Sequence, residues 1–232
     1  MDRGDDRPLN RPKRAGLDLK SSKIRRLGVS EIGQLMMFEN VHRIEPARLE
    51  TIPESIADLT AEINRAGALL GSRLHPTTAA QLAGHVRIMN TYYSNLIEGH
   101  DTRPRDIERA IAGDLSQDKD KRNLQLEAAS HVRVQLKVDE LAAEGKLPEP
   151  ASPEFIRWLH REFYRGAPEE VLLMRSSSSE FLMEPGEWRT GVKQDVTVGR
   201  LIPPSSDRLP DFMRHFEERF RFSSMGTSSQ IM

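Results

Sequence analysis

Seven histidines, His42, His75, His85, His100, His131, His160 and His215, come first, because imidazole titrates near neutral pH and ligates transition metals. No two stand in an H-x-x-x-H or H-E-x-x-H arrangement, so local spacing builds no metal site, and a ligand set assembled from distant segments stays open. As a group they read as surface or satisfied core histidines. The chain has no cysteine, which removes disulfides, thiolate metal sites, iron–sulfur ligation and cysteine nucleophiles together. The glycine loop of the phosphate-binding NTPases, the G-x-G-x-x-G fingerprint and the G-x-S-x-G nucleophile elbow are all missing from the sequence. Gly186 and Gly191 flank Trp188 without the spacing of a phosphate cradle. What remains is the run Thr91-Tyr-Tyr-Ser94-Asn-Leu-Ile-Glu98-Gly99-His100. Ser94 and Glu98, four apart on a helix, share one face. Glu98 falls in the last turn, where the helix dipole disfavours a negative charge, so its carboxylate gains from an arginine partner. Exposed glutamates at helix ends are also common, and the spacing alone does not choose between the two.

Helices position this run. Ile56, Leu59, Ile63 and Ala66 recur at spacings of three and four, which predicts a helix over 53–70 with those residues on its buried face. After Pro76, with Thr77 or Thr78 as cap, Leu82, Val86, Met89, Tyr93 and Ile97 form a second stripe that Gly99 ends. Residues 102–113 make a short helix with Pro104 near its first turn, Ile107 and Ile111 at i,i+4, and Gly113 where a stop is expected. Leu124, Ala128, His131, Val134, Val138 and Leu141 mark a further helix, closed by Gly145, Pro148 and Pro150. Ser152-Pro153 opens another, with Ile156, Leu159 and Phe163 inward and Gly166 as terminator. Residues 167–204 read as loop with one short hairpin whose strands lie near 181–183 and 195–198. Asp207 caps the last helix, whose face is Leu209, Phe212, Met213, Phe216 and Phe220. The expectation is a mainly helical, all-α fold with one short β-hairpin.

The 232 residues carry 34 Lys plus Arg against 35 Asp plus Glu, a net charge of −1 that disfavours a dedicated nucleic-acid binder. Residues 1–28, with nine Lys or Arg against four Asp, read as a disordered basic leader, and 222–232 as a disordered tail. Neither a signal peptide nor an 18-residue apolar span is present, so a cytoplasmic protein without membrane contact is expected.

Ser94-x-x-x-Glu98-Gly99 resembles the Ser/Thr-x-x-x-Glu-Gly/Asn inhibitory motif of Fic (Fido-domain) proteins, in the class whose inhibitory helix precedes the catalytic core. The helix over 53–70 and residues 105–112 resemble the helical part around that motif. Phe155-Ile-Arg-Trp-Leu-His160, Pro185-Gly-Glu-Trp-Arg-Thr190 and Val196-Thr-Val-Gly199 resemble the helix and target-docking flap before the active site. Pro203-Pro204 and Leu209-Pro-Asp-Phe-Met213 continue the resemblance, which spans about residues 48–220. It implies a Fic-like helical fold, with an inhibitory-helix region at 29–113 and the first part of a Fic core with its flap at 114–221.

The resemblance further implies relation to enzymes that transfer AMP from ATP to a protein hydroxyl, using Mg and a loop of the form HPFx(D/E)GNGR. The loop's histidine is the general base, its acidic residue places the metal, and its glycines and asparagine cradle phosphates. No such loop occurs in this sequence, so no catalytic residue and no metal ligand is carried over, and neither ATP nor Mg is expected as a cofactor of these residues. An incomplete, truncated Fic-like fold, inactive as it stands, is the leading expectation. By the same resemblance Glu98 pairs with a motif arginine and blocks the nucleotide's terminal phosphate, Ser94 fixes the helix end, and Gly99 completes the inhibitory motif. Trp188, Arg189, Asp195, Val196, Thr197, Val198 and Gly199 belong to the flap, where a protein target binds by strand addition. The alternatives are an antitoxin-like module supplying its glutamate to a Fic-type partner in trans, and a helical protein binding nucleic acid through its basic leader. The aromatic face of the last helix, lacking a core partner, predicts self-association.

Overall fold

A computed structural model describes residues 39–47, 51–175, 180–195 and 202–222. The leader, the tail beyond 222 and the expected strand residues 196–198 lie outside the described residues. Each helix begins and ends on a local cause. Helix α1 runs Glu54–Arg73 and α2 runs Pro76–Ile97. The cap of α2 is His75, whose Nδ1 accepts from the Thr77 amide at 3.3 Å, and not Thr77 or Thr78; Pro76 occupies the first helical position, where no amide donor is needed. Helix α3, Pro104–Ile111, starts on the same proline rule. Helix α4, Lys119–Ala143, begins five residues before Leu124 because the Asp118 carboxylate accepts from the Lys121 amide at 2.9 Å. Helix α5, Pro153–Phe163, is capped by Ser152 as its sequence predicts, through a 3.2 Å bond from the Phe155 amide.

The chain continues through one helical turn, α6 (Glu169–Leu172), into strand β1 (Leu173–Arg175), which pairs antiparallel with β2 (Glu180–Leu182). Leu173 faces Leu182, Met174 faces Phe181, and Arg175 faces and ion-pairs with Glu180 at 2.9 Å. The hairpin partner is therefore the segment before the serines, and Asp195 is not in a strand but follows a 3-10 turn, Val192–Gln194. Helix α7, Leu209–Phe220, has no side-chain cap; Asp207 is not its cap, and the Ser205 carbonyl accepts from the Arg208 and Leu209 amides instead.

Helix α4 is the axis of the body, with α2, α3 and α5 packed around it. Ile107 of α3 and Ala128 of α4 are fully buried, and Ala110 and Val134 join them. Phe155 of α5 and Leu209 and Phe212 of α7 extend the core. On α5 the deep residues are Phe155 and Glu162; Ile156, Leu159 and Phe163 are half-buried. Residues 39–47 lie against α7. Ser205 donates its amide and hydroxyl to the Glu39 carboxylate, each at 3.2 Å, and Arg43 donates to the Ile202 carbonyl at 2.7 Å. Glu45 follows a 3-10 turn, Val41–Ile44, and accepts from His42, Arg219 and His215, which together hold its carboxyl down at about 2.

Two apolar faces stand differently from the sequence expectation. On α7, Leu209 and Phe212 are buried and Phe216 stacks on Phe220 at 4.6 Å, so that face is largely covered by α5 and the 3-10 turn. On α1 and α2 the stripes are open: Leu59 is 57% exposed, Ile63 63% and Ile97 84%, and Leu82, Val86 and Tyr93 are exposed too. Only Thr60 of α1 is buried. The face that α2 turns to α4 is polar. Thr91 is fully buried and its hydroxyl accepts from Gln135 Nε2 at 3.0 Å, while Arg87 ion-pairs with Asp139 at 2.7 Å. The period of three and four correctly marks both helices, but it does not say which side meets the body.

Candidate functional site

The run from Ser94 to His100 ends α2 in a Schellman closure. The Gly99 amide donates to the Leu96 carbonyl at 3.0 Å and the His100 amide to the Asn95 carbonyl at 2.8 Å. This closure needs a left-handed residue after Glu98, and Gly99 supplies it at φ +83°. Glycine and asparagine are the residues that adopt this conformation most readily, which is a backbone reason for Gly or Asn at the end of the motif that these residues resemble.

Glu98 occupies the C-cap itself, exposed, and its carboxylate makes no ion pair among the described residues. Among the described residues the Glu98 carboxylate thus stands open and without a compensating cation at a helix C-terminus, where the dipole disfavours negative charge. Ser94 is exposed; its carbonyl accepts from the Glu98 amide at 3.3 Å, and its hydroxyl has no partner among the described residues. Immediately around the closure, Asn95 Nδ2, His100 Nδ1 and Thr102 Oγ1 are buried and find no hydrogen-bond partner among the described residues. These three atoms make the underside of this corner polar.

The second group of expected residues lies on α5. Gly186 is buried at φ +84°, and a Cβ there would meet the Arg157 carbonyl oxygen at 2.9 Å and Arg161 Cβ at 2.9 Å. Its amide donates to His160 Nδ1 at 2.8 Å, and its carbonyl accepts from Arg157 Nε at 2.7 Å. Arg157 also grips Glu187 at 2.5 Å. His160 therefore acts as an acceptor at Nδ1, which assigns it the neutral Nε2–H tautomer, and burial lowers its pKa in agreement. Trp188 and Arg189 are half-buried. Arg189 donates to Asp195 at 3.1 Å and to the Pro204 carbonyl. Asp195 also accepts from the Ser206 amide at 3.0 Å and from its hydroxyl. Asp195 thus ties the turn at 191–195 to the entry of α7. Val196, Thr197, Val198 and Gly199 lie outside the described residues.

Comparison with protein-family models, with characterised proteins and with solved structures finds no match.

The two groups are held by different helices, Glu98 by α2 and the 185–195 segment by α5, and no hydrogen bond or ion pair links them among the described residues. A groove of about 610 Å³ lies elsewhere, between α4 and the end of α5, lined by Leu126, Ser130, Leu136, Phe163, Tyr164 and Val171. Of its two arginines, Arg133 donates to the Glu162 carbonyl at 3.0 Å and to Ser130 Oγ at 3.2 Å, and Arg165 ion-pairs with the Glu162 carboxylate. Burial lowers the pKa of His131 against a raising effect of Glu127, and burial with Glu127 raises that of Tyr164. Of these two, Tyr164 lines the groove and His131 does not, so the groove offers mainly shape and apolar surface.

Sequence reasoning set Gly186 aside as a phosphate cradle and placed it in the flap, and it carried Arg157 and His160 only inside the helix that resembles the flap's neighbour; their bonds to Gly186, and the part played by Ser206, were not foreseen. A glycine after proline, flanked by charged residues on a neighbouring helix, signals close backbone approach as readily as ligand binding.

Proposed function

We propose that these residues form the inhibitory and target-docking part of a Fic-like regulator of AMP transfer to proteins. In this reading Glu98 grips an arginine of a catalytic core that lies outside the 232 residues. The supporting observation is the presentation of Glu98: an exposed carboxylate, without an ion pair among the described residues, on a glycine-closed helix end that also carries the exposed stripe of Leu82, Val86, Tyr93 and Ile97. An anion beside open apolar surface suits a docking helix: the stripe supplies area removed from water, and the carboxylate supplies a charge-assisted contact with a guanidinium. An ion pair closed off from solvent in that way places negative charge where a nucleotide's terminal phosphate would go, and like-charge repulsion then excludes the productive pose. No HPFx(D/E)GNGR loop occurs in the sequence, so the chain alone transfers no AMP in this reading. The bonds of Gly186, Arg189 and Asp195 anchor residues 185–195 against α5 and the entry of α7, which supports a docking role for this segment toward an extended peptide from a target.

The test adds the purified chain to a Fic-type core stripped of its own inhibitory helix, with Mg-ATP and a protein acceptor, and measures AMP incorporation. Suppression by the wild type, lost in Glu98→Gly with the helix content unchanged, is the expected result. Equal incorporation with and without the wild-type chain, or equal suppression by Glu98→Gly, rejects the reading.

A further inference from the structure

We propose that His42, Glu45 and His215 form a binding site for a divalent first-row metal ion of the zinc type, a proposal independent of the Fic-like reading. One ligand atom from each residue, His42 Nδ1, Glu45 Oε1 and His215 Nε2, lies within 4.8 Å of the other two. His42 Nδ1 is 2.9 Å and His215 Nε2 is 2.8 Å from the same carboxylate oxygen. Two imidazole nitrogens and one carboxylate oxygen are the donor set of open zinc sites, which leave a fourth position to solvent.

Local structure sets this convergence up. Asn40 caps the 3-10 turn Val41–Ile44 by accepting from the His42 amide at 3.0 Å, which brings His42 and Glu45 to one side of the turn. Helix α7 supplies His215 and, one turn later, Arg219, whose Nε donates to Glu45 Oε2 at 2.6 Å. That contact orients the carboxylate by one oxygen and leaves the other to the imidazoles, the arrangement in which an outer partner fixes a metal-ligating group. The His215 side chain is only 11% exposed and is held by its helix, while that of His42 is 72% exposed and leaves an open path for an ion.

In the metal-free arrangement a proton lies between Glu45 and each imidazole. Metal binding replaces those protons: His42 takes the tautomer protonated at Nε2, His215 the one protonated at Nδ1, and the freed nitrogens turn their lone pairs to the ion. Ligand bonds of about 2.0–2.1 Å require the nitrogens and the oxygen to separate by a few tenths of an ångström, which the exposed His42 side chain can supply. The Arg219 charge opposes the cation, so the site binds a transition metal through imidazole preference and not by net negative charge.

The test titrates the full chain with ZnCl2 by calorimetry and with CoCl2 by visible absorption, for the wild type, His42→Ala, His215→Ala and a His75→Ala control. His75 is exposed and outside the cluster. Expected are one ion per chain, intense four-coordinate cobalt bands, and affinity at least about tenfold lower in His42→Ala and His215→Ala, the least that outer partners already contribute at such sites. His75→Ala binds as the wild type does. Because His42 is exposed, its variant keeps the fold, and circular dichroism checks this. Absence of binding by the wild type, binding unchanged in His42→Ala, or equal weakening in His75→Ala overturns the proposal.

Discussion

Gly186→Ala is the substitution for which the structure assigns the most separate costs. The added Cβ meets the Arg157 carbonyl oxygen at 2.9 Å, inside the closest approach that real side chains show, and that oxygen belongs to the backbone of α5 and cannot swing away. Gly186 also sits at φ +84°, where an L-residue costs about 1–2 kcal/mol. Overpacking against a helix backbone adds about 1–3 kcal/mol. The total is about 2–5 kcal/mol, or roughly 4–20 °C in Tm for a domain of this size.

Gly99→Ala isolates the backbone part of that sum. Its φ of +83° is nearly the same, but nothing lies within 4 Å of its Cβ position. It should therefore lose only about 1–2 kcal/mol. Urea and thermal unfolding of the two variants, followed by far-ultraviolet circular dichroism, give the comparison. A histidine-selective NMR spectrum adds a local reading, since displacement of Gly186 breaks its 2.8 Å bond to His160 Nδ1. If Gly186→Ala costs no more than Gly99→Ala and the His160 ring is unmoved, the docking of 185–195 on α5 is wrong.

Ile107→Ala, at a fully buried position between α3 and α4, should cost about 2–5 kcal/mol by chemical denaturation. Gln135→Leu should cost about 1–3 kcal/mol in the same assay, because it strands the buried Thr91 hydroxyl. Ile63→Lys on the open face of α1 should change unfolding free energy by less than about 0.5 kcal/mol while lowering self-association in analytical ultracentrifugation. Burial keeps His160 and His131 below their ordinary value of 6.5. Their folded forms resist protonation, so their contribution is whole above that value and is lost as pH falls through it toward the lowered folded values. Unfolding measured across that window should show stability falling with acidity, with a shallower slope in His160→Gln, whose amide oxygen can still accept from Gly186.

Legibility in the sequence followed locality. The end of α2 could be read because Gly99 is a punctuation residue whose conformation depends on its own φ, and Ser152-Pro153 could be read because a cap acts across three residues. The burial of Thr91 could not be read, since a polar side chain signals solvent until its partner is known, and Gln135 lies 44 residues away. The hairpin failed for the same reason: Leu173-Met174-Arg175 is too short to announce a strand and is defined by what pairs with it. The aromatic face of α7 was read correctly as apolar and wrongly as uncovered, because residues 39–47, which help cover it, carry no periodic pattern. In the candidate site the position of Glu98 was visible from spacing, while its lack of a partner among the described residues emerged only from the fold.

The polar seam between α2 and α4 acts as a ruler. Two apolar helix faces can slide by a turn, about 5.4 Å, and bury similar area in the new register. The Thr91–Gln135 bond and the Arg87–Asp139 pair permit no such slip, because either contact is lost within a fraction of that distance. Seven residues beyond Thr91, about 10 Å along the axis, stands Glu98. Thr91 and Gln135 thus set how far the glutamate reaches, so shifting that one buried contact by a helical turn would move its carboxylate by more than the length of an ion pair while leaving its chemistry intact.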